Sequence, residues 1–168
     1  TLSIVLHCIG DFERISDHAI NIMEAAQEMH NKKLTFSPKA EEELKVFSRA
    51  VQDIVEKAYA VFRDQDEKLA QKVEPLEAVV DDLNQEVKKR HIRRLRNGKC
   101  TIELGFILSD ITTSLERVAD HCSNIAVCVT QVRDDTYDTH GYLNSVNNED
   151  SEIFRGLVLE AEEKYLLP

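Results

Sequence analysis

A chain of 168 residues, 42% hydrophobic and 31% charged, fits one globular domain and leaves little room for two. Its five glycines and three prolines amount to roughly 5% where average usage gives about 12%, which excludes a turn-rich β-sandwich or barrel. Thirty-one acids against 21 bases, a net charge of -10, argue against a domain that coats nucleic-acid phosphates and suit cations or basic partners.

The chain starts at Thr1 within an apolar stretch, Leu2 to Ile9, too short to span a bilayer and without a signal-peptide cleavage pattern; it reads as a piece of something longer. Apolar residues at Cys8, Phe12, Ile15, Ala19, Ile22, Ala26 and Met29 alternate steps of four and three, the seam of a first helix over residues 1–30. Ser37-Pro38 then offers an N-cap followed by a proline at the first helical position. The helix it starts should run over 38–63 on the seam Leu44, Phe47, Val51, Ile54, Ala58 and Val61. A third helix is predicted over 66–97 on Leu69, Val73, Leu76, Val80, Leu83 and Val87, kinked or restarted at Pro75 and stopped by Asn97-Gly98. The fourth, over 101–133, has the cleanest seam: Leu104, Leu108, Ile111, Leu115, Val118, Cys122, Ile125, Val129 and Val132. Residues 134–150 are polar and acidic and read as a loop before a last amphipathic piece, Ile153 to Leu167. The fold class is therefore all-α, an up-and-down antiparallel helical bundle.

The four cysteines (Cys8, Cys100, Cys122 and Cys128) show no C-x-x-C spacing, so neither a disulfide framework nor a zinc knuckle is indicated. Cys8 and Cys122 belong to seams and are expected in the core. Basic residues crowd one place, Lys88, Lys89, Arg90, Arg93, Arg94, Arg96 and Lys99. They either stabilise the negative end of the third helix dipole or contact an acidic partner or anionic lipid.

The most informative feature is an internal echo. Phe12-Glu13-Arg14-Ile15-Ser16-Asp17-His18-Ala19-Ile20-Asn21-Ile22 returns 103 residues later as Leu115-Glu116-Arg117-Val118-Ala119-Asp120-His121-Cys122-Ser123-Asn124-Ile125, with six of eleven positions identical. A shared seam explains the apolar matches, but packing does not require Glu, Arg, Asp, His and Asn at equal offsets. At 100° per residue Glu13 and Asp17 lie roughly 160° and 200° from Ile15, and Glu116 and Asp120 stand likewise to Val118, so both acid pairs point away from the seam. With 31 acids in the chain, on the order of six acid-x-x-x-acid pairs arise by chance, and a lone pair is most simply a solvated face. The third helix adds Glu77 and Asp81 on a flank of its seam, so the third and fourth helices together could align four carboxylates. Such acids repel and raise their own pKa values unless a metal or an arginine such as Arg117 sits between them. Oxygen ligands favour magnesium, manganese, calcium or iron. His18 and His121 point about 100° around from the aspartates, which suits a hydrogen-bonded bundle flank better than a metal ligand.

Glu-Arg-(Ile/Val)-(Ser/Ala)-Asp-His-x-x-Asn-Ile on the end helix of a three-helix unit resembles the PhoU family of phosphate-uptake regulators. The likeness covers roughly residues 1–133. It implies that residues 1–30 are the last helix of a truncated first PhoU-like repeat and 36–133 a complete three-helix repeat, with 134–168 an acidic loop and C-terminal helix outside the pattern. The strings Arg90-His91-Ile92-Arg93-Arg94-Leu95-Arg96-Asn97-Gly98-Lys99-Cys100 and Ser114 to Asn124 are similar to the PhoU-like cytosolic tail of sodium-dependent phosphate cotransporters. In that family acid-x-x-x-Asp motifs on paired helices carry metal ions, iron clusters among them. Carried over, the resemblance implies a metal site of Glu77, Asp81, Glu116 and Asp120, and a first-repeat site of Glu13 and Asp17 whose partner helix lies upstream of Thr1. The expected ion is iron, zinc, manganese or magnesium. The expected role is a non-enzymatic regulatory domain on the cytosolic side of the cell membrane, joined to the membrane transporter portion of a longer chain. Signalling proteins or a second copy in a homodimer are further expected partners; nucleic acid is not. The competing readings are a plain helical scaffold without metal and a carboxylate-bridged di-iron oxidase. The latter needs inward Glu and Glu-x-x-His on four helices, whereas no glutamate of the repeated motif has a histidine three residues later.

Overall fold

The computed structural model describes residues 2–133 and 152–168; the polar stretch expected to form a loop over 134–150 lies outside them. All regular structure in the described residues is helical: α1 Leu2–Lys32, α2 Pro38–Asp64, α3 Glu67–Ala70, α4 Val73–Arg96, α5 Ile102–Arg133 and α6 Glu152–Lys164. None of these helices is long and apolar enough to cross a membrane.

Local chemistry sets the helix ends. Ser37 caps α2, its hydroxyl accepting from Ala40 N at 3.4 Å with Pro38 next in the chain, as the Ser-Pro pair predicts. The 66–97 segment is divided by a restart rather than a kink, and the break falls just before Pro75 rather than at it. Asp66 caps the short α3 by accepting from Lys68 N and Leu69 N at 3.0 and 3.1 Å. The chain turns at Gln71 and Lys72, and Pro75 falls in the first turn of α4, where the missing N–H has no intrahelical partner to lose. Gly98 follows the Asn97 cap of α4 with φ +65, the left-handed conformation that follows a helix end without a Cβ penalty. Thr101 Oγ1 then accepts from Leu104 N at 3.2 Å to start α5.

Helix α5 is the centre of the molecule, with α2 and α4 on one side and α1 along the other. It runs antiparallel to α4, since Lys88 reaches Thr113 and Glu74 meets Ser123. It also runs antiparallel to α1, with Lys32 on Glu103 and Asp11 on His121 and Asn124. That explains why burial on α5 exceeds one seam: besides Leu104, Leu108, Leu115, Val118, Cys122, Ile125 and Val129, the chain also buries Ile107, Thr112, Ser114, Ala119, His121, Ala126 and Val127. A helix covered from two sides must be apolar over most of its circumference.

The main core is Phe47, Val51, Ile54 and Val61 of α2 against Val73, Leu76, Val80 and Leu83 of α4 and the near face of α5. Helix α6 packs on α4 and reaches α2 at its end: Lys164 Nζ meets Asp53 Oδ2 at 3.0 Å, and Tyr165, just past the helix, donates its hydroxyl proton to the same oxygen at 2.7 Å. Helix α1 packs along α5 but does not become a full fourth member of the bundle. Cys8 and Ala25 are buried, while Ala19 and Ala26 of its expected seam are exposed, together with Leu6, Ile9, Ile20 and Met23. A helix with a single main partner buries one narrow strip, and the rest of its apolar surface stays wet.

Candidate functional site

The repeated motif crosses itself. Because α1 and α5 are antiparallel and each carries one copy, the two copies lie against each other, with the His18 and His121 rings stacked at 5.7 Å between centroids and 24° between planes. The crossing is asymmetric. His121 Nδ1 is 2.9 Å from Asp11 Oδ1, and Asn124 Nδ2 donates to the same oxygen at 3.4 Å. The counterpart of Asp11 in the second copy is Ser114, which carries no charge, and His18 Nδ1 has no hydrogen-bond partner among the described residues. Burial, then His121 and Arg117, hold the His18 imidazole below its ordinary pKa despite Asp17 and Asp120. Both histidines thus sit on the bundle flank and lock α1 to α5.

The acids of the second copy face α4. Glu77 is pushed up to about 7, first by burial and then by Glu74, Asp120, Asp81 and Glu116, so the four carboxylates expected together do share one electrostatic neighbourhood. Glu116 and Asp120 do not stand clear of the bundle as the seam geometry predicts, while Glu77 and Asp81 lie on the flank expected of them. Glu77, Asp81, Glu116 and Asp120 are all half-buried, which places them at the rim of the α4–α5 contact rather than out in solvent. Arg117 Nη1 meets Asp120 Oδ2 at 3.2 Å and Gln85 Nε2 meets Asp81 Oδ2 at 3.3 Å, yet Glu77 still carries a raised pKa. One exposed arginine does not neutralise five carboxylates.

The fifth, Glu74, is the residue that sequence reasoning missed. It is buried, its pKa raised by burial, and it accepts a hydrogen bond from the Ser123 hydroxyl of α5. The signal was present as an acid three residues before Glu77, on the adjacent turn of the same face. Proximity of Pro75 masked it, since a residue beside an expected kink has no assignable face. Glu13 and Asp17 remain exposed on α1 and are not among the groups that crowd Glu77.

Among the described residues no three His, Cys, Asp or Glu side chains converge closely enough to enclose a metal ion. The acids form an open belt across α4 and α5 rather than a closed cage. The donor set nevertheless fits a hard cation: it is carboxylate oxygen throughout, with Glu77, Asp81, Glu116 and Asp120 able to supply ligands and Ser123 orienting Glu74 behind them.

A second buried acid is purely structural. Glu43 of α2 is enclosed, and Arg94 grips it with two bonds, Nη1 to Oε1 at 3.0 Å and Nη2 to Oε2 at 2.8 Å, while Arg90 Nη1 lies 3.4 Å from Oε1. Arg90 Nη1 also donates to the Pro168 carbonyl at 2.6 Å. Two of the clustered cations are therefore committed to tying α2, α4 and the chain end together.

The chain is thus an all-helical bundle with a duplicated acidic motif at a helix crossing and a carboxylate belt on the adjoining hairpin. Residues 44–129 match the PhoU domain, and the chain belongs to that family. It is also 29% identical over 121 residues to the phosphate-specific transport system accessory protein PhoU homolog 1 of Thermotoga maritima, an alignment covering 72% of this chain and 51% of that protein. The chain thus spans about half the length of the curated relative it matches. No solved structure matches it.

Proposed function

We propose that this chain is a non-enzymatic, metal-binding regulatory domain of phosphate transport or phosphate signalling. The observation that carries the reading is the carboxylate belt on α4 and α5, in which burial raises the pKa of Glu74 and pushes Glu77 up to about 7 with the help of Glu74, Asp120, Asp81 and Glu116, so that Glu77 lacks a compensating positive charge. A bound cation supplies that charge. Glu77, Asp81, Glu116 and Asp120 would hold it from the groove rim, with iron, zinc, manganese or magnesium compatible with the oxygen donors. The Thermotoga maritima relative is a phosphate transport accessory protein by its name, which supports phosphate as the regulated ion. The cotransporter-like strings 90–100 and 114–124 support attachment to a membrane transporter portion on the cytosolic side, with signalling proteins or a second copy as partners. Glu13 and Asp17 complete a second site only if another acidic helix packs beside them.

Elemental analysis of protein purified without added metal tests the reading. Metal should co-purify, and Asp120→Ala should lower its content while the helical circular dichroism signal is kept, because Asp120 lies at the rim. Full occupancy in Asp120→Ala, or no metal in the parent chain, would leave the plain scaffold. A di-iron oxidase would need ligands turned inward on four helices, whereas these acids occupy the rim between two.

A further inference from the structure

We infer that the tip of the α4–α5 hairpin docks on an anionic lipid bilayer, a surface independent of the carboxylate belt and of the metal reading. The contact of Lys88 Nζ with Thr113 Oγ1 at 3.4 Å fixes the register of the two antiparallel helices. Counting helical turns from it, Lys88, Ile92 and Arg96 form one stripe toward the turn, which Lys99 follows, and Thr113, Ser109, Phe106 and Ile102 form the stripe beside it. Ile92, Ile102 and Phe106 are 50%, 73% and 69% exposed. Three large apolar side chains therefore stand together at the end of the molecule, ringed by cations.

The cations are available. Arg90 and Arg94 are spent on Glu43, and Lys89 lies near Glu86, but Arg93, Arg96 and Lys99 are exposed and make no ion pair among the described residues. Lys32 at the end of α1 bridges Glu103 of α5 and Glu28 of its own helix, and Lys33 beside it is exposed. Asp110, exposed on α5, is the carboxylate left at the edge of the patch. Stabilisation of the α4 dipole accounts for Arg93 and Arg96. It does not account for Lys99 beyond the helix, or for Ile102 and Phe106 at the start of the next.

Two observations select a bilayer over a protein partner. Side chains about seven-tenths exposed at a hairpin tip project outward, a shape that enters a deformable surface, whereas recognition of a helix or peptide calls for a groove. The charge is also unevenly placed: the chain as a whole carries a net charge of -10, whereas exposed Arg93, Arg96 and Lys99 gather at this pole, so a tip-first approach to anionic headgroups is favoured.

Flotation of the 168-residue chain with phosphatidylcholine vesicles, with and without phosphatidylglycerol, tests the inference. Binding should require phosphatidylglycerol and weaken in high salt. Arg96→Glu with Lys99→Glu should weaken it by roughly fivefold or more per cation removed. Ile102→Ser with Phe106→Ser should weaken it severalfold at unchanged melting temperature, because neither residue is in the core. Equal binding to neutral vesicles, no binding at all, or binding indifferent to both double variants would overturn the inference. So would retention on polyglutamate without vesicle binding, which would indicate an acidic protein, or Phe106-dependent dimerisation without vesicle binding, which would indicate a second copy.

Discussion

Two acids on this molecule titrate in opposite directions, and each yields a pH prediction with its own sign. Glu77, pushed up to about 7 from 4.5, keeps its proton in the folded chain longer than in the unfolded one. Its contribution is favourable below about 4.5 and is lost as pH rises through 7. Glu77→Gln should therefore stabilise the metal-free protein at neutral pH by about 1 to 3 kcal/mol, measured by urea denaturation, and should lower metal content. Burial alone would raise Asp53 too, but hydrogen bonds from Lys57, Tyr165 and Lys164 outweigh it and hold the carboxyl down at about 2. Its contribution is present above the ordinary value of 3.8 and is lost as pH falls toward 2. Asp53→Asn should cost roughly 2 kcal/mol at neutral pH and nearly nothing at about pH 2, where the parent carboxyl is itself losing its charge.

At the scale of single elements, the α4–α5 connection and the central helix make the sharpest predictions. A Cβ on Gly98 would meet no atom within 4 Å, but its φ of +65 strains any L side chain. Gly98→Ala should therefore cost about 1 kcal/mol through backbone conformation alone, read as a fall in melting temperature. Leu108, 1% exposed in α5, is enclosed on all sides, and Leu108→Ala should cost about 2 to 5 kcal/mol. Leu115→Ala and Val118→Ala should cost somewhat less, since both lie nearer the surface. Equal costs at all three positions in thermal melts would mean that α5 is not sandwiched as described.

For the whole molecule, the uneven covering of α1 is the property to test. Its inner strip locks to α5 through Cys8, Asp11 and the stacked histidines, while Leu6, Ile9, Ile20 and Met23 remain in water. Leu6→Gln with Met23→Gln should reduce hydrophobic-dye binding and self-association while leaving the melting temperature unchanged. Deleting residues 1–32 should do the reverse, because it uncovers the α1 side of α5 and leaves His121 without Asp11. Aggregation or a marked loss of stability is the expected result. A deletion product as stable and as monomeric as the parent would show that α1 contributes nothing to the bundle.

Local patterns determined the helices, their approximate limits, the Ser37-Pro38 start, the Gly98 stop and the buried cysteines 8 and 122. These depend on 3.6-residue periodicity and cap chemistry, which neighbouring residues specify among themselves. The duplicated acidic motif and the grouping of Glu77 and Asp81 with Glu116 and Asp120 were legible for the same reason, since a short turn makes consecutive helices antiparallel neighbours. Only the tertiary structure decided that α5 is sandwiched and α1 half covered, that the two motif copies cross with His121 bonded to Asp11 and His18 Nδ1 without a hydrogen bond among the described residues, and that Glu74 joins the belt through Ser123. It also divided the clustered cations between a buried glutamate and an open tip. Each of these depends on which residues far apart in sequence meet, and periodicity assigns a side chain to a face of its own helix without saying what that face will touch.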